Sequence, residues 1–259
     1  MADQAWREGE PPGDGPGGSL SGRVAILTGA AGGLGGATWQ ALRRAGAAVV
    51  PVDVHGDDCL IADVATAEGN RAMVDLALER HGRLDILVLN AGAQAMNPIA
   101  SYSEADWDRL MNLMVKGPFL AMKFAWPHLT RRPGGRIIVT ASTVSLEGAP
   151  YKAAYVEAKH AVLGLVKVAA LEGAAAGLTA NAVAPGWMHT PLTENQIRDH
   201  MRLRGISRDQ VIAGMAAEQP ARRFVETAEV AGLITFLAGD GGSAINGACI
   251  PADTGTLAG

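Results

Sequence analysis

Residues 142 to 159 read STVSLEGAPYKAAYVEAK, a stretch holding two serines, two tyrosines and two lysines. A phenol has a pKa of about 10, so near neutral pH it needs a close positive charge to serve as a base. Each unit of lowering takes ~1.4 kcal/mol of differential stabilisation. Tyr155 and Lys159 are four residues apart, and on a helix their side chains share a face. Tyr151 and Lys152 are adjacent and would point about 100° apart. Spacing therefore favours Tyr155 with Lys159 as the acid–base pair. Ser142, closing the apolar run GRIIVTAS, is placed to hydrogen-bond a substrate oxygen.

These side chains need a scaffold, and the pattern from Arg23 onward describes one. Apolar runs VAILTG, AAVVPVDV, LDILVLNAG, GRIIVTAS and LTANAVAPG alternate with helical segments such as RAMVDLALERHG and KAAYVEAKHAVLGLVKVAALEG. A long helix, DWDRLMNLMVKGPFLAMKFAWPHL, follows a Ser103 cap. Strands apolar throughout and alternating with helices predict an α/β fold whose parallel sheet is covered on both faces. Ligands of such sheets bind beyond the carboxyl ends of the strands. About forty residues between Gly186 and Thr227 break the rhythm. They read as a lid over residues 188–226, with a capping box at Ser207–Gln210, or else as a helical decoration or subunit contact.

The chain has 259 residues, 48% hydrophobic and 19% charged, with a net charge of −4. That gives no electrostatic reason to expect nucleic acid or anionic membrane as a partner, and no apolar run is long enough to span a bilayer. Cys59 and Cys249 stand far apart without metal-ligand spacing, so two ordinary thiols in a reducing, cytoplasmic compartment are expected, and no metal. Residues 1–20, acidic and rich in Gly and Pro, read as a disordered leader. Residues 21–259 read as one domain.

The first strand runs into Thr28-Gly29-Ala-Ala-Gly32-Gly33-Leu34-Gly35 and then a helix. Glycines there let backbone approach a pyrophosphate at a helix N-terminus. Asp53 closes the second strand, eighteen residues after Gly35. A carboxylate there can accept the ribose hydroxyls of NAD and would repel the 2′-phosphate of NADP; it could also be a plain turn residue. Asp63, followed by Val64, could meet an adenine amine. Asn90-Ala91-Gly92 offers small residues against which a planar ligand can lie.

The order of these motifs, TGxxxGxG at Thr28–Gly35, Asp53, Asp63, NAG at Asn90–Gly92, Ser142, YxxxK at Tyr155–Lys159 and PGxxxT at Pro185–Thr190, resembles the NAD-dependent short-chain dehydrogenase/reductase (SDR) superfamily. The resemblance runs from Leu20 to the C-terminus. It implies a single-domain Rossmann fold with a doubly wound seven-stranded sheet and a helical substrate lid. It further implies that Tyr155 is the acid/base and that Ser142 orients the substrate. Lys159 would bind the nicotinamide ribose while lowering the Tyr155 pKa. Pro185, Gly186 and Thr190 would border the nicotinamide, Thr190 at its carboxamide. Members are homodimers or homotetramers acting on small molecules.

A narrower resemblance, carried by YKAAYVEAKHAVLGLVKVAALE, APGWMHTPLTENQI and EQPARRFVE, is to D-3-hydroxybutyrate dehydrogenases. It implies substrate-carboxylate binding by Gln94, Lys152 and Gln196, with Trp187 nearby. Lys152, three residues before Tyr155, shares its face and carries a charge suited to a small carboxylate; its other reading is a solvated surface lysine. Three positions depart from that pattern. Met114 replaces the asparagine of the proton relay, with Asn112 about 200° away on an α-helix. Val144 replaces a substrate-binding histidine, and Thr256 an aromatic wall. The expected activity is hydride transfer between NAD and a small 3-hydroxy acid. A bulkier or neutral secondary alcohol, or NAD binding without catalysis, are the alternatives.

Overall fold

A computed structural model describes residues 19–258. The leader expected over residues 1–20 lies, up to residue 18, outside the described residues. Leu20 belongs to the folded body: it is fully buried, and its amide donates to the Ala45 carbonyl at 2.8 Å.

Seven parallel strands form one sheet in the order β3-β2-β1-β4-β5-β6-β7. They are β1 (Val24–Thr28), β2 (Ala48–Asp53), β3 (Leu60–Ile61), β4 (Ile86–Leu89), β5 (Arg136–Thr140), β6 (Thr179–Pro185) and β7 (Cys249–Ala252). β1, β4 and β6 are buried at every residue, which is why they read as unbroken apolar runs. The order reverses direction between β1 and β4, and a cleft opens beyond their carboxyl ends. One face carries α1 (Gly33–Arg44) and, from the far end of the chain, α8 (Thr227–Ala238), packed against each other. The other carries α2 (Ala67–His81), α4 (Gly117–Leu129) and α5 (Ala153–Gly173).

Local chemistry explains several boundaries. Thr66 caps α2 by accepting from the Gly69 amide, and Ser103 caps α3 (Glu104–Met111) by accepting from Asp106. The long helix expected after Ser103 is not continuous. Asn112–Lys116 form a π turn between α3 and α4, so the α-helical angle assumed between Asn112 and Met114 does not apply. At the far end of the turn, a Cβ on Gly117 would lie 2.7 Å from the Val64 carbonyl oxygen, so only glycine fits there.

The stretch expected as a lid holds α6 (Pro191–Arg204) and α7 (Arg208–Glu218). Thr190 caps α6, and Ser207 and Gln210 form a reciprocal capping box on α7. A parallel bridge between Met188 and Val225 closes the base of the excursion.

Candidate active site

A cavity of about 970 Å³ runs along the carboxyl ends of the strands and under α6. At one end lies the glycine loop. Gly29 adopts φ +68°, and a Cβ there would sit 2.8 Å from Ala91 Cα. A side chain at Gly35 would collide with the Gly29 carbonyl, so helix α1 can start only where it does. The carboxylate of Asp53 accepts from the Ala31 amide (3.0 Å) and the Val54 amide (2.7 Å), and His55 Nδ1 stands 3.1 Å from it. Asp53 thus both closes a turn and faces the cavity. Asp63 accepts from the Ala65 amide at 2.9 Å and lines the cavity with Val64. Asn90 does more than stay small. Its amide donates to the Thr28 and Gly29 carbonyls (3.2 and 3.1 Å) and accepts from the Thr140 hydroxyl (3.1 Å), bracing the ends of β1, β4 and β5.

At the other end, Ser142, Tyr155 and Lys159 line the same space. Of the three tyrosines in the chain, Tyr155 alone does so. Lys159 Nζ donates to the Thr140 carbonyl at 2.6 Å and lies 5.6 Å from the Tyr155 ring centroid. The geometry brings a phenol, an ammonium and a hydroxyl together at the end of β5, facing a glycine-walled cleft.

The family model described as enoyl-(acyl carrier protein) reductase matches residues 29–256. The chain is 35% identical to a D-beta-hydroxybutyrate dehydrogenase of Rhizobium meliloti (strain 1021), covering 91% of this chain and 99% of that one. The chain belongs to the short-chain dehydrogenase/reductase family. A cis-4-hydroxycyclohexanecarboxylate dehydrogenase of Sinomonas cyclohexanicum is 36% identical, over 91% of this chain and 97% of that one. The crystal structure of an NAD+-bound xylitol dehydrogenase superposes with a TM-score of 0.87 at 28% identity, covering 91% and 99%. This SDR is therefore an oxidoreductase, which weighs against the reading as a non-catalytic binding protein.

Burial pushes the Tyr155 phenol up to about 12, with the Ser142 hydroxyl pulling the other way. Lys159, its Nζ 5.6 Å from the ring centroid, is the positive charge beside the phenol. It is itself buried, and desolvation draws its own ammonium down to about 8. The phenol therefore rests protonated.

The expected substrate residues are partly brought together. Lys152 is not a surface lysine: it is 5% exposed, donates to Gln196 Oε1 at 2.9 Å, and sits 4.4 Å from the Trp187 ring centroid. Burial draws it down to about 8, Glu218 opposing and Arg204 assisting. The residue before it, Tyr151, takes φ +68°, a conformation strained for any residue but glycine. Its carbonyl is fixed by the Asn97 amide at 3.0 Å. Gln94 does not reach the cavity wall. Its segment is tied to the Tyr151 turn and, through Arg202 Nη2 on the Met96 carbonyl (2.9 Å), to α6, and its amide is buried without a partner among the described residues. Val144 and Thr256 line the cavity, Val144 in an apolar cluster with Leu110, Met114 and Tyr155. Pro185, Gly186, Trp187 and Thr190 also line it. A Cβ on Gly33 would press on the Thr190 methyl at 3.1 Å, so the glycine loop and the start of α6 face each other.

Several residues at the site escaped the sequence reading. Arg109, Thr193 and Glu218 line the cavity, and His200, one turn after Gln196 on α6, is buried. His200 is drawn down to about 4 by burial, then by Arg204 and Lys152. Only the i, i+4 spacing of Gln196 and His200 hints at this; Glu218 opens the EQPARRFVE segment of the resemblance, which assigns it no role.

Proposed function

We propose that the protein is an NAD-dependent dehydrogenase that oxidises a small 3-hydroxy acid, or reduces the corresponding keto acid. The observation that carries the substrate class is Lys152, a buried ammonium in the cavity whose close partners, Gln196 and Trp187, are neutral. Glu218 acts on it from the far edge of the indole, without a salt bridge, so a cation buried in this way still gains from a direct counter-charge, which a substrate carboxylate supplies.

The residues present fit a nicotinamide dinucleotide. Gly29, Gly33, Leu34 and Gly35 would hold the pyrophosphate, and Asp53 the adenosine ribose. Asp63 and Val64 would hold the adenine, Asn90, Ala91 and Gly92 the adjoining face, and Lys159 the second ribose. Pro185, Gly186 and Thr190 would hold the nicotinamide. Asp53 favours NAD because its charge opposes a 2′-phosphate. When bound, NAD supplies the hydride acceptor. Ser142 and Tyr155 hold the substrate oxygen between them, and the Tyr155 hydroxyl exchanges a proton with it. The charged Lys159 opposes the desolvation that keeps the phenol neutral. With the phenol held at about 12, Tyr155 is by default the proton donor to a ketone, so alcohol oxidation depends on positive charge beside it. Gln196 and Trp187 position Lys152 on the carboxylate, α6 and α7 serving as the lid. Gln94 would take part only by turning from its buried position.

A second reading has its own observation: Val144 and Thr256 leave the wall beside Tyr155 apolar or small, which suits a bulkier or neutral secondary alcohol. NADH absorbance with NAD and a panel of 3-hydroxy acids and neutral alcohols tests both. Turnover restricted to neutral alcohols would overturn the 3-hydroxy-acid assignment.

We also infer a cytoplasmic homo-oligomer, dimer or tetramer. Phe119 on α4 and Val168 and Leu171 on α5 are exposed large apolar residues on one side of the sheet, which supports a covered face. No described helix is long and apolar enough to cross a membrane. Light scattering reads the subunit number.

A further inference from the structure

The proposed carboxylate anchor has a fixed opposite charge beside it. Trp187 Nε1 donates to Glu218 Oε2 at 2.7 Å, while Lys152 Nζ lies over the face of the same indole. Lys152 and Glu218 both line the cavity that Tyr155 and Ser142 line, yet among the described residues they form no salt bridge with each other. One tryptophan therefore holds a buried cation on its face and a carboxylate at its edge. The rim extends the pattern. Glu147 and Glu218 stand exposed on it, against the single guanidinium of Arg109, which Asp106 already pairs at 2.9 Å. Val144 and Thr256 leave room in the same cavity for a substituent beyond the carbinol.

A carboxylate-only substrate would satisfy Lys152 and leave its remaining surface against Glu218. Two like charges in that compartment repel. A substrate that also carries a cation pairs with both walls. We infer that Glu218 is a specificity-determining residue and that the substrate is a hydroxy acid also bearing a protonated amine, its carboxylate on Lys152 and its ammonium on Glu218. This rests on the hydroxy-acid reading above and narrows it.

The test compares kcat/KM with NAD for 3-hydroxybutyrate, threonine and 4-amino-3-hydroxybutyrate, each as separate stereoisomers, in the wild type and in Glu218→Gln. Glutamine keeps an acceptor for the Trp187 N–H and removes only the charge. At least one amino hydroxy acid is expected to exceed 3-hydroxybutyrate by about tenfold or more, and Glu218→Gln to erase that ratio. It should do so mostly by raising KM for the amino substrate, with a smaller change in KM for 3-hydroxybutyrate. An amino-to-plain ratio below one in the wild type, or a ratio that Glu218→Gln leaves unchanged, would overturn the inference while the hydroxy-acid reading stands. Absence of turnover with all three acids, alongside turnover of neutral alcohols, would remove the reading itself.

Discussion

Lys152 and Lys159 stand seven residues apart around the start of α5, both buried and both drawn down to about 8 by desolvation, yet they belong to different regions. Lys159 donates to a backbone carbonyl at the end of β5, in the middle of a seven-stranded sheet. Lys152 donates to a side chain on α6, inside a helical excursion joined to the body at the Met188–Val225 bridge. The first is fixed by the most constrained part of the fold. The second is fixed only while α6 and α7 are in place, through Gln196 on one and the Trp187–Glu218 pair on the other. The proposed reactive groups on α5 face the carboxyl end of β5, where α/β architecture fixes them; the proposed substrate-facing groups are held by a segment whose sequence can change without disturbing the sheet.

The comparison can be broken at either lysine. The largest effect is expected on the sheet side: Tyr155→Phe should lower kcat about 10³-fold in NADH assays while the circular dichroism spectrum is unchanged. On the lid side, Lys152→Met should lower kcat/KM for hydroxy acids about 100-fold, mostly through KM. The same variant should gain on the order of 2 kcal/mol of stability in urea at pH 7, because a desolvated ammonium is removed. Asp53→Ser, remote from both lysines, should shift the NAD-to-NADP preference about tenfold toward NADP in kcat/KM.

Stability should also depend on pH. Both lysines have folded pKa values near 8, below the ordinary 10.5, so the folded state holds fewer protons than the unfolded state between those values. Stability should therefore rise with pH from about 8 toward 10, and the lysines' contribution should level off below about 8. Above about 10 the raised Tyr155 acts in the opposite sense. Lys152→Met should flatten roughly half of the rise in urea midpoints.

The sheet side was legible because its determinants are local. Apolar runs, glycines at one loop and a four-residue spacing each act within a few residues. The π turn at Asn112–Lys116 was not, since no residue type there encodes an i→i+5 bond and packing of Gly117 on Val64 settles it. The lid side depends on pairs such as Lys152 with Gln196 and Trp187 with Glu218, 44 and 31 residues apart. Family resemblance suggested the first pair's residues; it spans Glu218 within EQPARRFVE without giving it a role. Gln94 was legible as a residue but not as one whose amide is turned inward, because its segment is tied by Arg202 and Tyr151.

The most direct test of Lys152 as the carboxylate anchor is the kcat/KM of wild type and Lys152→Met on a 3-hydroxy acid and on its methyl ester, followed by NADH absorbance. The expected result is a strong wild-type preference for the acid that the variant loses, with the ester rate little changed. Equal losses on acid and ester, or a wild type that prefers the ester, would contradict it.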